Sequence, residues 1–172
     1  MTGVPGNSLF AERNQVCAAF KPVDFNAAAQ TGDWVSLKNY QRCTCLLFGK
    51  AGSAGTDLTV TLEQATSVAG GSSKNLTTIT RVDKKEGADL FAIGQYTTDT
   101  QAAAATYTNT NNEQSDQIYL IDVLAEDLDI ANDFDCMRMS INAGNASKIV
   151  AGLYILQGPK FGTDPLPAAI TD

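Results

Sequence analysis

The sequence predicts an all-β protein, with two antiparallel sheets packed as one β-sandwich. Three observations predict it. Apolar and polar residues alternate at period 2 through Val35-Ser36-Leu37, from Tyr40 to Phe48, and through Leu58-Thr59-Val60-Thr61-Leu62. That is the pattern of strands with one face on a core and the other in water. Further segments of this kind follow in series with turn signals between them, as in two-sheet antiparallel folds. Charged residues make up only 18% of the chain, and Thr, Asn, Ala and Gly fill the polar positions. Such a composition favours strands and tight turns over Glu- and Lys-rich surface helices.

In chain order, residues 1–22 read as an N-terminal arm, with Pro5, Pro22, Gly3 and Gly6 and a weakly helical patch over 9–20. The sandwich domain is expected over 23–157, opening on a short edge strand at 23–26 and a turn at 30–33. Strands are expected at 34–38, 40–48, 58–65, 76–83, 90–98, 117–125, 134–142 and 149–157. Gly49, Gly52, Gly55 and Asp57 break the run between the second and third, so these two are expected to pair as a hairpin. In 58–63 leucine and valine point inward, threonine and glutamate outward. In 134–141 one face carries Met137, Met139 and Ile141, while the other carries Phe134, Cys136 and Arg138 and is expected to be partly covered. Residues 149–156 are apolar on both faces apart from Gly152, which places that strand centrally or against a neighbouring subunit.

The stretch 97–117 is polar and long for a loop, with room for a short helix at 101–105. Gly70-Gly71-Ser72-Ser73 reads as a turn. Residues 158–172, with Pro159, Pro165 and Pro167, read as an extended C-terminal tail, because proline donates no ladder hydrogen bond.

At 172 residues one domain can bury roughly 70% of its unfolded surface and needs no metal or disulfide. The net charge of −7 disfavours nucleic-acid binding, and the small basic patch Arg81, Lys84 and Lys85 does not reverse that. There is no histidine, which removes Ser-His-Asp and Cys-His catalysis and the commonest metal ligand. No span approaches the ~20 apolar residues of a membrane helix. The first eight residues lack the regions of a signal peptide, so the chain is expected to be used from the cytoplasm or to have lost a leader. Cys43 and Cys45, two apart on one strand face, sit roughly 6.5–7 Å apart, at or past the reach of a disulfide. With Cys17 and Cys136 they read as small buried apolar side chains rather than a zinc site.

Chemistry has few places to sit. The acidic run Glu126-Asp127-Leu128-Asp129, with Asp133 and Asp135, offers oxygen ligands of the kind calcium takes, without EF-hand spacing; a solvated connecting loop is the alternative. Asp122, flanked by Ile121 and Val123, is the one acid expected to be buried, as a glycosidase carboxylate or as the partner of Arg138 or a lysine. The triplets Asn75-Leu76-Thr77 and Asn145-Ala146-Ser147 match glycosylation acceptors by accident. Trp34, Tyr96, Tyr107 and Tyr119 are the aromatic platform on which a carbohydrate- or receptor-binding module would depend; Trp34 alone reads as core. No catalytic, cofactor-binding or metal residue is assigned, and no cofactor.

Two runs carry a resemblance: Gly32-Asp33-Trp34-Val35-Ser36-Leu37-Lys38-Asn39-Tyr40 with Cys43 to Phe48, and Gly52 to Ala65. Together with Ile118 to Val123, Asp127-Leu128-Asp129 and Phe134 to Ile141, the chain over roughly 23–157 resembles small structural proteins of tailed bacteriophages. The resemblance implies a jelly-roll-like sandwich and a capsid decoration (cement) protein on the outer surface of the virion. It also implies a homotrimer bound to the major capsid protein, with the arm and tail reaching to neighbours. A neck or tail component is the alternative within the same class. Neither nucleic acid nor membrane is expected as a partner.

Overall fold

The computed structural model describes residues 9–26, 28–52, 57–110, 115–144, 147–160 and 166–170. Strands β1 (Asn14–Asp24), β2 (Gln30–Thr31), β3 (Val35–Ser36), β4 (Tyr40–Gly49), β5 (Leu58–Ala65) and β6 (Lys74–Asn75) form the first half. Strands β7 (Ile79–Gly87), β8 (Thr97–Ala104), β9 (Thr106–Asn109), β10 (Asp116–Leu124), β11 (Cys136–Ile141) and β12 (Ile149–Pro159) follow. One sheet has the order β1-β12-β4-β10-β7-β8 and the other β2-β11-β5-β6, with β3 on β11 and β9 on β5. The pairings among the described residues are antiparallel.

The all-β, two-sheet antiparallel sandwich is therefore the observed fold. Its connectivity is that of a jelly roll. Sequence neighbours β1 and β2, β4 and β5, and β11 and β12 lie in opposite sheets, while the first long strand pairs with the last. β7 and β8 extend the larger sheet as an added hairpin.

This order corrects the expected hairpin between β4 and β5. β4 lies between β12 and β10, and β5 lies between β11 and the short strands β6 and β9. Alternation states which face of a strand is buried but not which strand lies beside it, and a connection of eight residues is long enough to cross the ~10 Å between stacked sheets as well as to turn within one. Inward residues of both sheets make the core: Cys43, Cys45 and Leu47 on β4, Leu58, Val60 and Leu62 on β5, and Met137, Met139 and Ile141 on β11. The cysteines are free thiols, three of them buried. On the far face of β11, Arg138 lies 4.4 Å over the Trp34 ring and bonds Glu63 at 2.8 Å, so that face is partly covered as expected.

The expected arm at 1–22 is corrected over 14–22, which belongs to β1, an eleven-residue strand. Residues 1–8 lie outside the described ones. Register shifts between Ala18 and Phe20, and again before Val23, put Ala19 and Phe20 both inside. Those bulges break the period of 2 and give the segment its helical look. The only helical turn there is a 3-10 turn at Phe10–Glu12. Likewise 101–105 is no helix. The alanines of β8 favour helix intrinsically, but pairing with β7 overrides that. The expected strand at 90–98 gives way to a 3-10 turn at Leu90–Ala92, capped by Asp89, and the strand begins at Thr97.

The tail at 158–172 is corrected in part. Gly158 and Pro159 close β12, with Pro159 opposite Tyr40. Farther on, Tyr40 donates to the Pro167 carbonyl at 2.5 Å, Ser36 N–H donates to the Ala169 carbonyl at 2.7 Å, and Ala169 is buried. Residues 166–170 pack on their own domain. The turn at 70–73 is present, with Gly70 at φ +80° and the Gly71 carbonyl accepting from Thr66 N–H.

A side-chain-to-backbone bond joins the two layers in the middle of the sandwich. Tyr154, in the middle of β12, accepts from the Met139 N–H of β11 at 2.8 Å. On that side β11 meets only the short β2 and β3, with Met139 at the gap between them. Gly32 fills the gap, donating to the Met139 carbonyl at 2.9 Å; a Cβ there would lie 2.5 Å from both that carbonyl and the Tyr154 hydroxyl. The tyrosine hydroxyl completes what the interrupted ladder leaves open.

Candidate functional site

The sequence-predicted sites disperse in the fold. Asp127 accepts from Leu124 N–H at 2.8 Å. Asp129 is held by Lys74 at 2.5 Å and by Asn132, and these bonds, Lys74 first, lower its carboxyl. Asp133 takes the left-handed conformation at φ 61° that ends a 3-10 turn. These carboxylates serve the loop's own geometry, and among the described residues no three His, Cys, Asp or Glu side chains converge as a metal site. Asp122 is a correction: it is exposed rather than buried. It accepts from Thr44 Oγ1 at 2.5 Å and pairs with Arg42 at 3.9 Å, not with Arg138. Burial pushes the Cys43 thiol well up, and burial with Asp33 raises Cys17, the opposite of nucleophile activation.

The aromatic platform is also overturned. Trp34, Tyr107 and Tyr119 are buried, and only Tyr96 is exposed, with Lys85 over its ring. Tyr107 and Tyr119 instead join a polar cluster between the sheets. Lys84 bonds Asp99 at 2.7 Å and Glu86 at 3.1 Å, Tyr107 donates to Asp99, and Asn109 donates to Glu86 and to Tyr119, each at 2.6 Å. Burial would lower the Lys84 ammonium, but the bonds to Asp99 and Glu86 outweigh it and raise it. Two of the three cations of the expected basic patch are thus neutralised within the fold, since Arg81 also grips Asp83 with two nitrogens, while Lys85 lies over the Tyr96 ring.

What the fold does leave open is the outer face of the larger sheet. Its strands are in register, so the outward side chains form rows across β1, β12, β4 and β10. One row is Ala18, Leu153, Leu46 and Leu120; the next is Ala151, Phe48 and Ile118; on the other side stand Val16 and Ile155. Val16 (47%), Phe48 (48%), Ile149 (49%) and Leu153 (37%) are strongly exposed, and Leu46, Ile118, Leu120 and Ile155 half-exposed. Isolated exposed apolar residues are ordinary, but a contiguous block of them marks a contact surface.

Beyond Thr44 the face turns polar, into an open groove of about 530 Å³ lined in part by Arg42, Arg81, Asp83, Asp122 and Asp127. Bonds from Arg81, then Thr98, hold the Asp83 carboxyl below the usual carboxylate range. The sequence carried the signal for the apolar block in the two-faced strand 149–156. It lacked the register that brings Phe48, Ile118 and Val16 alongside.

No helix among the described residues is long and apolar enough to cross a membrane. No family model matches the chain, and no curated protein matches it. Among solved structures it is similar to the SPBc2 prophage-derived protein YomS, with a TM-score of 0.37 and 10% identity over 83% of this chain and 92% of that one.

Proposed function

We propose that this protein is a structural component of a virion, a capsid decoration protein that works by contact rather than turnover. The observation that carries the proposal is the uncovered apolar face on β1, β12, β4 and β10. A sandwich whose core is already closed gains nothing for its own folding by leaving Phe48, Leu153, Val16 and Ile149 in water; the same side chains stabilise a joint to another protein subunit. The tailed-phage setting, the outer capsid surface and the major capsid protein as partner rest on the resemblance across residues 23–157. Repetition over a shell makes weak joints strong, since each copy held by one contact meets the next at high effective concentration.

The test is add-back. Heads assembled without this protein are incubated with the purified chain, and bound copies are located by imaging the particle at side-chain resolution. Ordered density on the head exterior is expected. Density confined to the neck or tail would move the protein to another part of the virion, and no association with any part would refute the structural role.

A further inference from the structure

We infer that the partner seated on the apolar face is a second copy of this chain, packed sheet against sheet about a two-fold axis running along the strands between β12 and β4. The inference rests on the reading of that face as a subunit joint and names the subunit. Three features of the surface favour a copy of itself.

The first is charge. Two chains of net charge −7 repel, so they approach only where the contact itself is uncharged. The block formed by Ala18, Leu153, Leu46, Leu120, Ala151 and Phe48 carries no ionisable group, and charges begin at its margins, with Lys21 in the β1 bulge and with Asp83, Lys85 and Asp122.

The second is shape. Within one chain Ala151 lies opposite Phe48 and Leu153 opposite Leu46 on neighbouring strands. A two-fold axis between those strands therefore sets each Phe48 over Ala151 of the second copy and each Leu153 over Leu46 of the second copy. One strand farther out, Leu120 falls over Ala18 of the second copy. Two of these three pairs set a large side chain over an alanine and the third sets leucine over leucine, so the face interdigitates with its own copy as packed sheet faces do and complements itself about a two-fold.

The third is size. Four strands by about seven residues give a flat footprint of roughly 400 Å². Side chains standing off that footprint, with a polar rim, bring each copy toward the ~800 Å² of a standard interface. That is enough for a reversible dimer and too little for an obligate one.

The experiment is sedimentation of the full chain across concentration, with two single variants. The wild-type chain is expected to show a monomer–dimer equilibrium. Leu153→Lys and Leu46→Asp should each weaken the dimer by more than about 100-fold, because each buries a charge without a partner. Both should keep the wild-type melting temperature at dilute, monomeric concentration. Mixing the two variants should restore a heterodimer, since the two-fold places those positions face to face.

A chain that stays monomeric at high concentration overturns the inference, as does a trimer indifferent to both substitutions or a failure of the mixed variants to pair. If the chain is monomeric yet Leu153→Lys abolishes attachment to heads, the self-partner is wrong while the structural role stands.

Discussion

Replacing Tyr154 by phenylalanine removes one oxygen atom from the middle of the sandwich and leaves the ring in place. The hydroxyl it removes accepts from Met139 N–H at 2.8 Å, and the surrounding geometry offers that N–H no ladder partner. A buried donor left unsatisfied costs about 1–3 kcal/mol, so Tyr154→Phe should destabilise the protein by about 2 kcal/mol. For a domain of this size that lowers the melting temperature by about 4–8 °C. Urea unfolding followed by far-ultraviolet circular dichroism should show an earlier midpoint with an unchanged slope, because the surface exposed on unfolding is the same. Gly32→Ala reports on the same spot from the other side, since its Cβ would sit 2.5 Å from the Tyr154 hydroxyl and from the Met139 carbonyl. Alone it should cost about 1–3 kcal/mol by overpacking. Combined with Tyr154→Phe it should cost about 1 kcal/mol less than the sum, because one of the two clashes has gone. A Tyr154→Phe penalty below about 0.5 kcal/mol, or strict additivity of the pair, would refute the account of this bond as a stabilising tie between layers.

Four further outcomes are expected. Bonds from Lys84, then Tyr107, lower the Asp99 carboxyl, so its contribution is present above the unfolded value near pH 4 and is lost as pH falls through the folded one. Asp99→Asn should therefore cost about 1 kcal/mol at pH 7, after allowance for solvent screening, and progressively less as pH falls below about 4, as thermal melts of both chains across pH would show. Lys84 acts at the other end of the scale: its raised ammonium stabilises the fold below about pH 10, and that support disappears only as pH climbs through the folded value. Gly152→Ala should lose about 1–3 kcal/mol in urea, because its Cβ would meet Phe20 and Met139 at 2.7 Å, and Phe20→Leu should recover part of the loss. Gly70→Ala combines a φ of +80° with a Cβ 2.6 Å from Trp34 Nε1, so the fluorescence of the single tryptophan should change together with a fall in stability.

How much could be read from the residues varied with the kind of information asked. β5 and β10 were legible almost to the residue, because each has one clean apolar face and turn residues at its ends. β1 was not, because two bulges put Ala19 and Phe20 on the same side and erase the alternation on which recognition depends. β8 was hidden behind alanines that prefer helix, and only its pairing with β7 makes it a strand. The partners of β4 were beyond reach for a different reason: alternation is a one-strand property, and sheet order is a property of the whole chain. The candidate surface shared that fate. Residues 149–156 announced themselves as apolar on both sides, but Phe48, Ile118 and Val16 come from three other strands and join them only through register. The aromatic rings failed as a sugar platform because Tyr107 and Tyr119 find partners for their hydroxyls between the sheets.

The pairing of β1 with β12 sets a timetable. Asp24 waits for Ile149, roughly 125 residues later in synthesis, which at ribosomal speeds is about 6–25 s. Until then the larger sheet is split, with β1 unattached on one side and one edge of β4 bare on the other. Ile149, Leu153 and Ile155 also arrive only with that closing strand, so the sticky patch is created by the same event that finishes the molecule. Half-made chains lack the finished patch, so any contact that needs all four strands in register is open only to copies that have completed the fold.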